Sequence, residues 1–210
     1  MRIAVFGATG GTGRQVIQQA CAAGHEVVAV VRDPDRLGES LPRLSVVRAD
    51  VMDPATFTSA IEGCDAVVSA LGSRAGRVPT TICADGTASI VRAMRTAGVG
   101  RLVVVSAGTV TTAGDGPLTR LVLKPLLGRL FAHTIADKRR MEEAVRASGL
   151  QWMIVRPPRL TDGPRTGAYR SAVGRNVRGA LRVSRADLAH FILQCLQDHR
   201  SVNAALGIGD

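Results

Sequence analysis

Apolar residues in this chain fall into short continuous runs, separated by stretches in which they recur every three or four positions. The runs are Arg2-Ile3-Ala4-Val5-Phe6, Glu26–Val31, Leu44–Arg48, Cys64–Ala70, Arg101–Val105 and Gln151–Val155. Such runs, rich in valine and without polar alternation, predict strands covered on both faces, as in a parallel sheet. Helical spacing follows the first run up to Gly24 and returns over Thr80–Ala97. Strand and helix therefore alternate, and the expected fold is α/β, a doubly wound parallel sheet with helices on both faces. Its expected strand order is 3-2-1-4-5-6, with ligands at the carboxyl ends of the strands. No internal repeat or linker divides the chain, so a single domain is expected over 1–210, with substrate-side segments around 107–131 and 156–184.

Between the first strand and the first helix stands Gly7-Ala8-Thr9-Gly10-Gly11-Thr12-Gly13. Strand, glycine loop and helix in that order are what a dinucleotide needs. Gly7 permits the tight turn, Gly10 lets backbone amides approach a pyrophosphate, and Gly13 lets the helix pack close to the strand. The helix N-terminus then offers N–H groups and a positive dipole end to the anion. A Rossmann domain binding a dinucleotide follows, with Gly7, Thr9, Gly10, Gly11, Thr12 and Gly13 as its cofactor loop.

The exit of the second strand bears on which dinucleotide. A carboxylate there suits the ribose of NAD, whereas a guanidinium suits the 2′-phosphate of NADP. The chain reads Val31-Arg32-Asp33-Pro34-Asp35-Arg36, and Arg32 favours NADP(H). Asp33 either serves a ribose or caps the turn begun by Pro34; Arg36 is either a second phosphate partner or a solvated surface arginine.

Composition narrows the partners. No stretch approaches the ~20 apolar residues of a membrane span, so no integral membrane segment is expected. The first apolar run is too short for a signal peptide, which makes the cytoplasm the expected location. The formal net charge is +10, yet the basic residues are scattered and lack interleaved aromatics or a helix-turn-helix signature, so no nucleic-acid partner is expected. Cys21, Cys64, Cys83 and Cys195 are far apart, and neither a metal site nor a disulfide framework is expected.

With its three glycines each three apart at the N-terminus, the chain resembles the atypical and extended short-chain dehydrogenase/reductase superfamily, especially the NAD(P)H-binding branch of flavin/biliverdin reductases and NmrA-like proteins. That resemblance implies adenine contacts at Asp50 and Val51, and pyrophosphate and ribose contacts at Ala70, Leu71, Gly72 and Arg74. It implies a nicotinamide-side role for Ser106 at the end of strand five and for Pro157 in Arg156-Pro157-Pro158-Arg159. A hydroxyl at Ser106 can donate to a developing anion, or else bond its own backbone. The superfamily's acid is a tyrosine four residues before a lysine; here the lysine is Lys138 and Thr134 stands in the tyrosine's place. The lone tyrosine, Tyr169, has Val173 four residues on. A threonine hydroxyl is too weak an acid to protonate a carbonyl.

The expected activity is therefore NADPH-dependent reduction of a small-molecule acceptor that delocalises its own negative charge, such as FMN, a quinone or a tetrapyrrole-like molecule. The alternative is a non-catalytic NADPH sensor of the NmrA-like kind. Lys138 either binds the nicotinamide ribose or is solvated. Where the branch's biliverdin reductases carry histidine after the two prolines this chain has Arg159, suited to an anionic acceptor. Ser184 and Asp187 form a capping box on the last helix, and the expected state is a monomer or small homo-oligomer. The segment Thr109–Leu130, apolar with Arg120, Lys124 and Arg129, reads as a lid, a packing surface or a membrane-surface element, with Pro125 expected to break its helix.

Overall fold

In a computed structural model, described over residues 1–38, 40–73, 78–198 and 202–210, eight strands form one sheet. Strands β1 (Arg2–Phe6), β2 (Glu26–Val31), β3 (Leu44–Arg48), β4 (Ala66–Ser69), β5 (Arg101–Val105) and β6 (Gln151–Arg156) lie in the order β3-β2-β1-β4-β5-β6, all parallel. This is the expected doubly wound order. Beyond β6, the short β7 (Arg159–Thr161) pairs in a separate small sheet with β9 (Arg182–Ser184). The main sheet continues through β10 (Ala204–Gly209), parallel to β6, and ends in β8 (Arg170–Val173), antiparallel to β10.

Strand alternation sorts the core into two layers. In β1, Ile3 and Val5 face helices α1 (Gly11–Ala22) and α6 (Arg185–Gln197), while Ala4 and Phe6 face the other side. That second layer holds the single-turn α2 (Thr58–Ile61), α3 (Ile82–Ala97) and α5 (Ala132–Arg146), and Phe6 meets Phe57 edge-on at 4.9 Å between centroids.

Two helices depart from expectation. α3 begins at Ile82, two residues later than predicted, because its first turn is capped from afar. Fully buried Asp137 of α5 accepts from the amides of Cys83 (3.0 Å) and Ala84 (2.9 Å). A carboxylate at a helix N-terminus satisfies orphan donors and opposes the dipole.

Pro125, expected to break the 118–130 helix, does not. Right-handed helical backbone runs from Leu118 through a π-turn at Thr119–Leu123 into α4 (Lys124–Leu130), and the break falls at Phe131. The wide turn absorbs the proline, which lacks an N–H and crowds the carbonyl four residues back. No helix among the described residues is long and apolar enough to cross a membrane.

Candidate functional site

The glycine loop is built by steric exclusion. Gly7 adopts φ +74, and a Cβ there would lie 2.5 Å from the carbonyl oxygen of Ala70. A Cβ on Gly13 would overlap the Gly7 carbonyl and come within 2.8 Å of Ala8 Cα. Strands β1 and β4 and the first turn of α1 thus approach as closely as backbone allows. Gly10 caps α1 without a side chain, its N–H donating to Gly7 O at 2.9 Å. The first helical bond runs from Arg14 N to Gly10 O, so the amides of Gly11, Thr12 and Gly13 precede the helical ladder.

In front of this turn a cleft of about 480 Å³ crosses the carboxyl ends of β1 to β4. Gly7, Thr9 and Gly10 form one side; Arg32 and Arg36 stand at the end beneath β2; Asp50 and Val51 follow β3; Ala70, Leu71 and Gly72 follow β4. These are ten of the residues expected from sequence. Among the described residues nothing lies within 4 Å of a Cβ on Gly72, so crowding by them does not account for that glycine. Gly11, Thr12 and Gly13 sit behind the loop in the first turn of α1, and the Arg185 side chain covers Gly11. Arg74 lies outside the described residues. Sequence reasoning missed Arg14, whose guanidinium donates to the Arg36 carbonyl and ties the 34–36 turn to α1. Asp33, one of whose two roles was to cap that turn, stands at its N-cap but makes no side-chain capping bond. Asp50 is a turn acid as well as a cleft residue, accepting from Met52 N at 3.0 Å.

The residues fit a dinucleotide: unladdered amides at a helix start for a pyrophosphate, guanidinium groups at one end, and apolar Val31, Ala49 and Val51 along the wall. A family model described as NAD(P)H-binding matches residues 7–199. The chain belongs to the NAD(P)H-binding family. It is 35% identical over 176 residues, 79% of its length, to the uncharacterized chloroplastic protein At2g34460 of Arabidopsis thaliana, and spans 61% of that relative. Among solved structures it resembles a wide-type short-chain dehydrogenase/reductase of Veillonella parvula in complex with NADP, with TM-score 0.81 and 17% identity, covering 100% of this chain and 94% of that one. It also resembles ChuY, an anaerobillin reductase of Escherichia coli O157:H7, with TM-score 0.79 and 23% identity, covering 99% and 97% of the two chains. These two likenesses are of fold.

In this NAD(P)H-binding protein the exits of β5 and β6 carry a buried polar network that the sequence reading did not contain. Ser106 donates to Glu142 Oε1 at 2.7 Å. Arg156, the last residue of β6, binds the same carboxylate through Nε (2.9 Å) and Nη2 (2.5 Å), and Arg146 reaches it at 2.9 Å. Burial alone would raise the Glu142 pKa, but the bonds from Arg156 and Ser106 and the Arg156 charge override it and hold the carboxyl below its ordinary value. Glu142 is therefore ionised at neutral pH and only accepts, so the Ser106 proton is committed to it. This corrects the expectation that Ser106 donates to a developing anion. The only signal was parity: Ser106 continues the alternation of Leu102 and Val104, which places it on the α5 side.

Lys138 is half-buried, and its Nζ spends one of its three donors on the Val105 carbonyl at 3.0 Å. Thr134 is half-buried one turn earlier on α5, and Pro157 is buried, its carbonyl accepting from Gly108 N at 2.7 Å. Arg159 is exposed on β7 beside Arg182. Tyr169 packs with the α1/α6 layer, where its hydroxyl meets His190 Nδ1 (2.9 Å) and Gln194 Oε1 (2.8 Å). Burial and the Asp187 charge push its pKa up to about 12, the opposite of what a general acid needs. Only half of the expected capping box forms: Ser184 Oγ accepts from Asp187 N at 2.9 Å, but the Asp187 carboxylate, instead of reaching back to the Ser184 amide, accepts from the Thr166 and Gly167 amides at 2.8 Å and from the Ser184 hydroxyl at 2.9 Å. Burial raises the thiol pKa values of Cys64, Cys83 and Cys195, which leaves them protonated.

The 109–130 segment is tethered at the same end of the sheet. Lys124 donates to the carbonyls of Gly108 (2.8 Å) and Thr111 and pairs with Asp115. Asn176 Nδ2 lies within donating distance of the same two carbonyls, at 3.0 and 3.2 Å, and of the other Asp115 oxygen, Oδ1, at 2.9 Å. Outward, Leu118, Leu121, Val122, Leu126 and Phe131 are exposed.

Proposed function

We propose that the protein is an NADPH-dependent reductase of a conjugated small molecule of the flavin, quinone or tetrapyrrole kind. Arg32 and Arg36, held by Arg14, bind the 2′-phosphate, and the amides at the start of α1 bind the pyrophosphate. The bound reduced nicotinamide supplies a hydride. Ser106, Lys138, Thr134 and Pro157 border its place: Glu142 turns the lone pairs of Ser106 outward, Lys138 fixes the end of β5, and the proline carries no N–H needing a partner. Segments 107–131 and 156–184, including Arg159, enclose the acceptor.

The observation that carries this reading is the state of the candidate acids. Ser106 is committed to Glu142, Thr134 is a weak acid, and the raised phenol of Tyr169 belongs to the other layer. An acceptor that delocalises charge and takes its proton from water needs none of them. Oxidation of NADPH, followed at its absorbance with FMN, menadione, biliverdin and an unactivated ketone, tests this. Turnover of the conjugated acceptors and not of the ketone is expected; efficient ketone reduction refutes it.

The exposed apolar strip from Leu118 to Phe131 favours a second reading, in which cofactor occupancy is sensed by a protein partner. Tight NADPH binding without turnover of any acceptor supports that reading over the first.

A further inference from the structure

We propose that the loop after β8 forms an oxyanion-binding pocket, in which Arg170, Arg175 and Arg178 take phosphate or carboxylate groups carried by the conjugated acceptor. The proposal rests on the reductase reading and names its substrate class.

A cavity of about 600 Å³ lies between residues 114–117 and 170–178, and the three arginines line it. None of the three guanidinium groups has an acidic or hydrogen-bonding partner among the described residues. Asp115, the carboxylate in the same lining, is taken by Lys124 and Asn176. The cavity therefore carries unbalanced positive charge, in the planar form that binds oxyanions bidentately.

The pocket is also built in advance. Gly114 adopts φ +83, and a Cβ on it or on Gly207 would overlap the main chain of Arg175 and Asn176. That stretch is sandwiched between the two glycines and pinned by Asn176 N to Ala113 O (2.8 Å) and Gly174 N to Ala205 O (2.7 Å). The clamp fixes the point at which Arg175 leaves the main chain, so little backbone entropy is left to lose there on binding.

Its position links it to the reaction. Asn176, in the lining, donates to the carbonyl of Gly108, two residues past Ser106. The arginines lie toward the β8 edge of the sheet, while Arg32 and Arg36 lie at β2 near the other edge, so the pocket is separate from the 2′-phosphate end of the cleft. A neutral quinone has nothing to place there, whereas a flavin phosphate or a tetrapyrrole carboxylate has.

Matched pairs test this. FMN and riboflavin differ by a phosphate; biliverdin and its dimethyl ester differ by carboxylate charge. KM is measured with NADPH, and Kd by fluorescence or absorbance titration with NADP⁺ saturating, so that the cofactor's own phosphate sites are filled. The charged member of at least one pair is expected to bind roughly tenfold or more tightly, and the pair that discriminates identifies the group. Arg175→Ala and Arg178→Ala, both at exposed side chains, should bring the ratio toward one, as should added salt. Equal affinity within both pairs overturns the pocket while turnover keeps the reductase reading. A preference that survives both substitutions also overturns it. Absence of turnover with every acceptor overturns the reductase reading alone, and the Kd ratios then decide the pocket.

Discussion

Glu142→Gln tests the pair that shapes the β5 exit. The residue is 1% exposed, and its carboxylate gathers hydrogen bonds from Ser106, Arg156 and Arg146. Glutamine keeps the shape but removes the charge, leaving the guanidinium of Arg156, 7% exposed, without its counter-ion. Breaking a buried pair from one side costs about 3–5 kcal/mol. For a chain of this size each kcal/mol moves Tm by about 2–4 °C, so a fall on the order of 10 °C is expected at neutral pH. Removing both buried partners, as in Glu142→Met with Arg156→Met, should cost less than either single change, because the one charge left without its partner, Arg146, is solvent-exposed.

The sign with pH follows from the lowered carboxyl. A group depressed below its ordinary value of 4.5 contributes fully above that value, and the contribution is lost as pH falls through the folded-state value. The Tm gap between the parent and Glu142→Gln should accordingly be widest near neutrality and close toward acid. Scanning calorimetry over about pH 3–8 reads both. A gap below about 2 °C at neutral pH, or one that does not shrink in acid, refutes the assignment of Glu142 as an ionised, buried partner of Arg156.

Arg32→Ala should remove most of the preference for NADPH over NADH, a contact to charge being worth roughly 1.5–3 kcal/mol; equal affinities of the parent protein for the two cofactors by calorimetry would end that reading. Gly13→Ala drives a methyl into Gly7 and Ala8, so α1 must leave β1, and a Tm loss is expected together with abolished NADPH binding, whereas Gly72→Ala, meeting no described residue within 4 Å, should leave Tm unchanged. Asp137→Asn weakens the cap of α3, with an expected cost of about 1–2 kcal/mol in chemical denaturation. Thr134→Tyr supplies a phenol one turn before Lys138; new activity on simple ketones is the expected gain, and its absence would mean that Lys138, bonded to Val105, does not reach the added ring.

Much of the cofactor half was legible in the chain because it is made of local rules. Gly7 and Gly13 stand where no side chain fits, Arg32 directly follows a strand, and six apolar runs alternate with helices; each is a statement about a few consecutive residues, and each reappears in the sheet order, the glycine turn or the cleft. Less was legible at the β5 and β6 exits. Asp137 caps a helix 53 and 54 residues away, Glu142 meets Ser106 36 residues away, and Asn176 grips Gly108 across 68. None of those separations leaves a periodic trace, and each partner read by itself is an ordinary polar residue. Strands β8 and β10 escaped for a related reason: Arg170–Val173 is half polar and Ala204–Gly209 holds two glycines, so neither carries a strand signal without the β6 edge to pair against. Short-range sterics and hydropathy, which the sequence states directly, determined the Rossmann frame and the glycine-loop cleft. The state of Ser106 and Glu142 at the β5 exit was decided only by the tertiary structure, since a buried hydroxyl or carboxylate takes its role from whatever charge the fold packs against it.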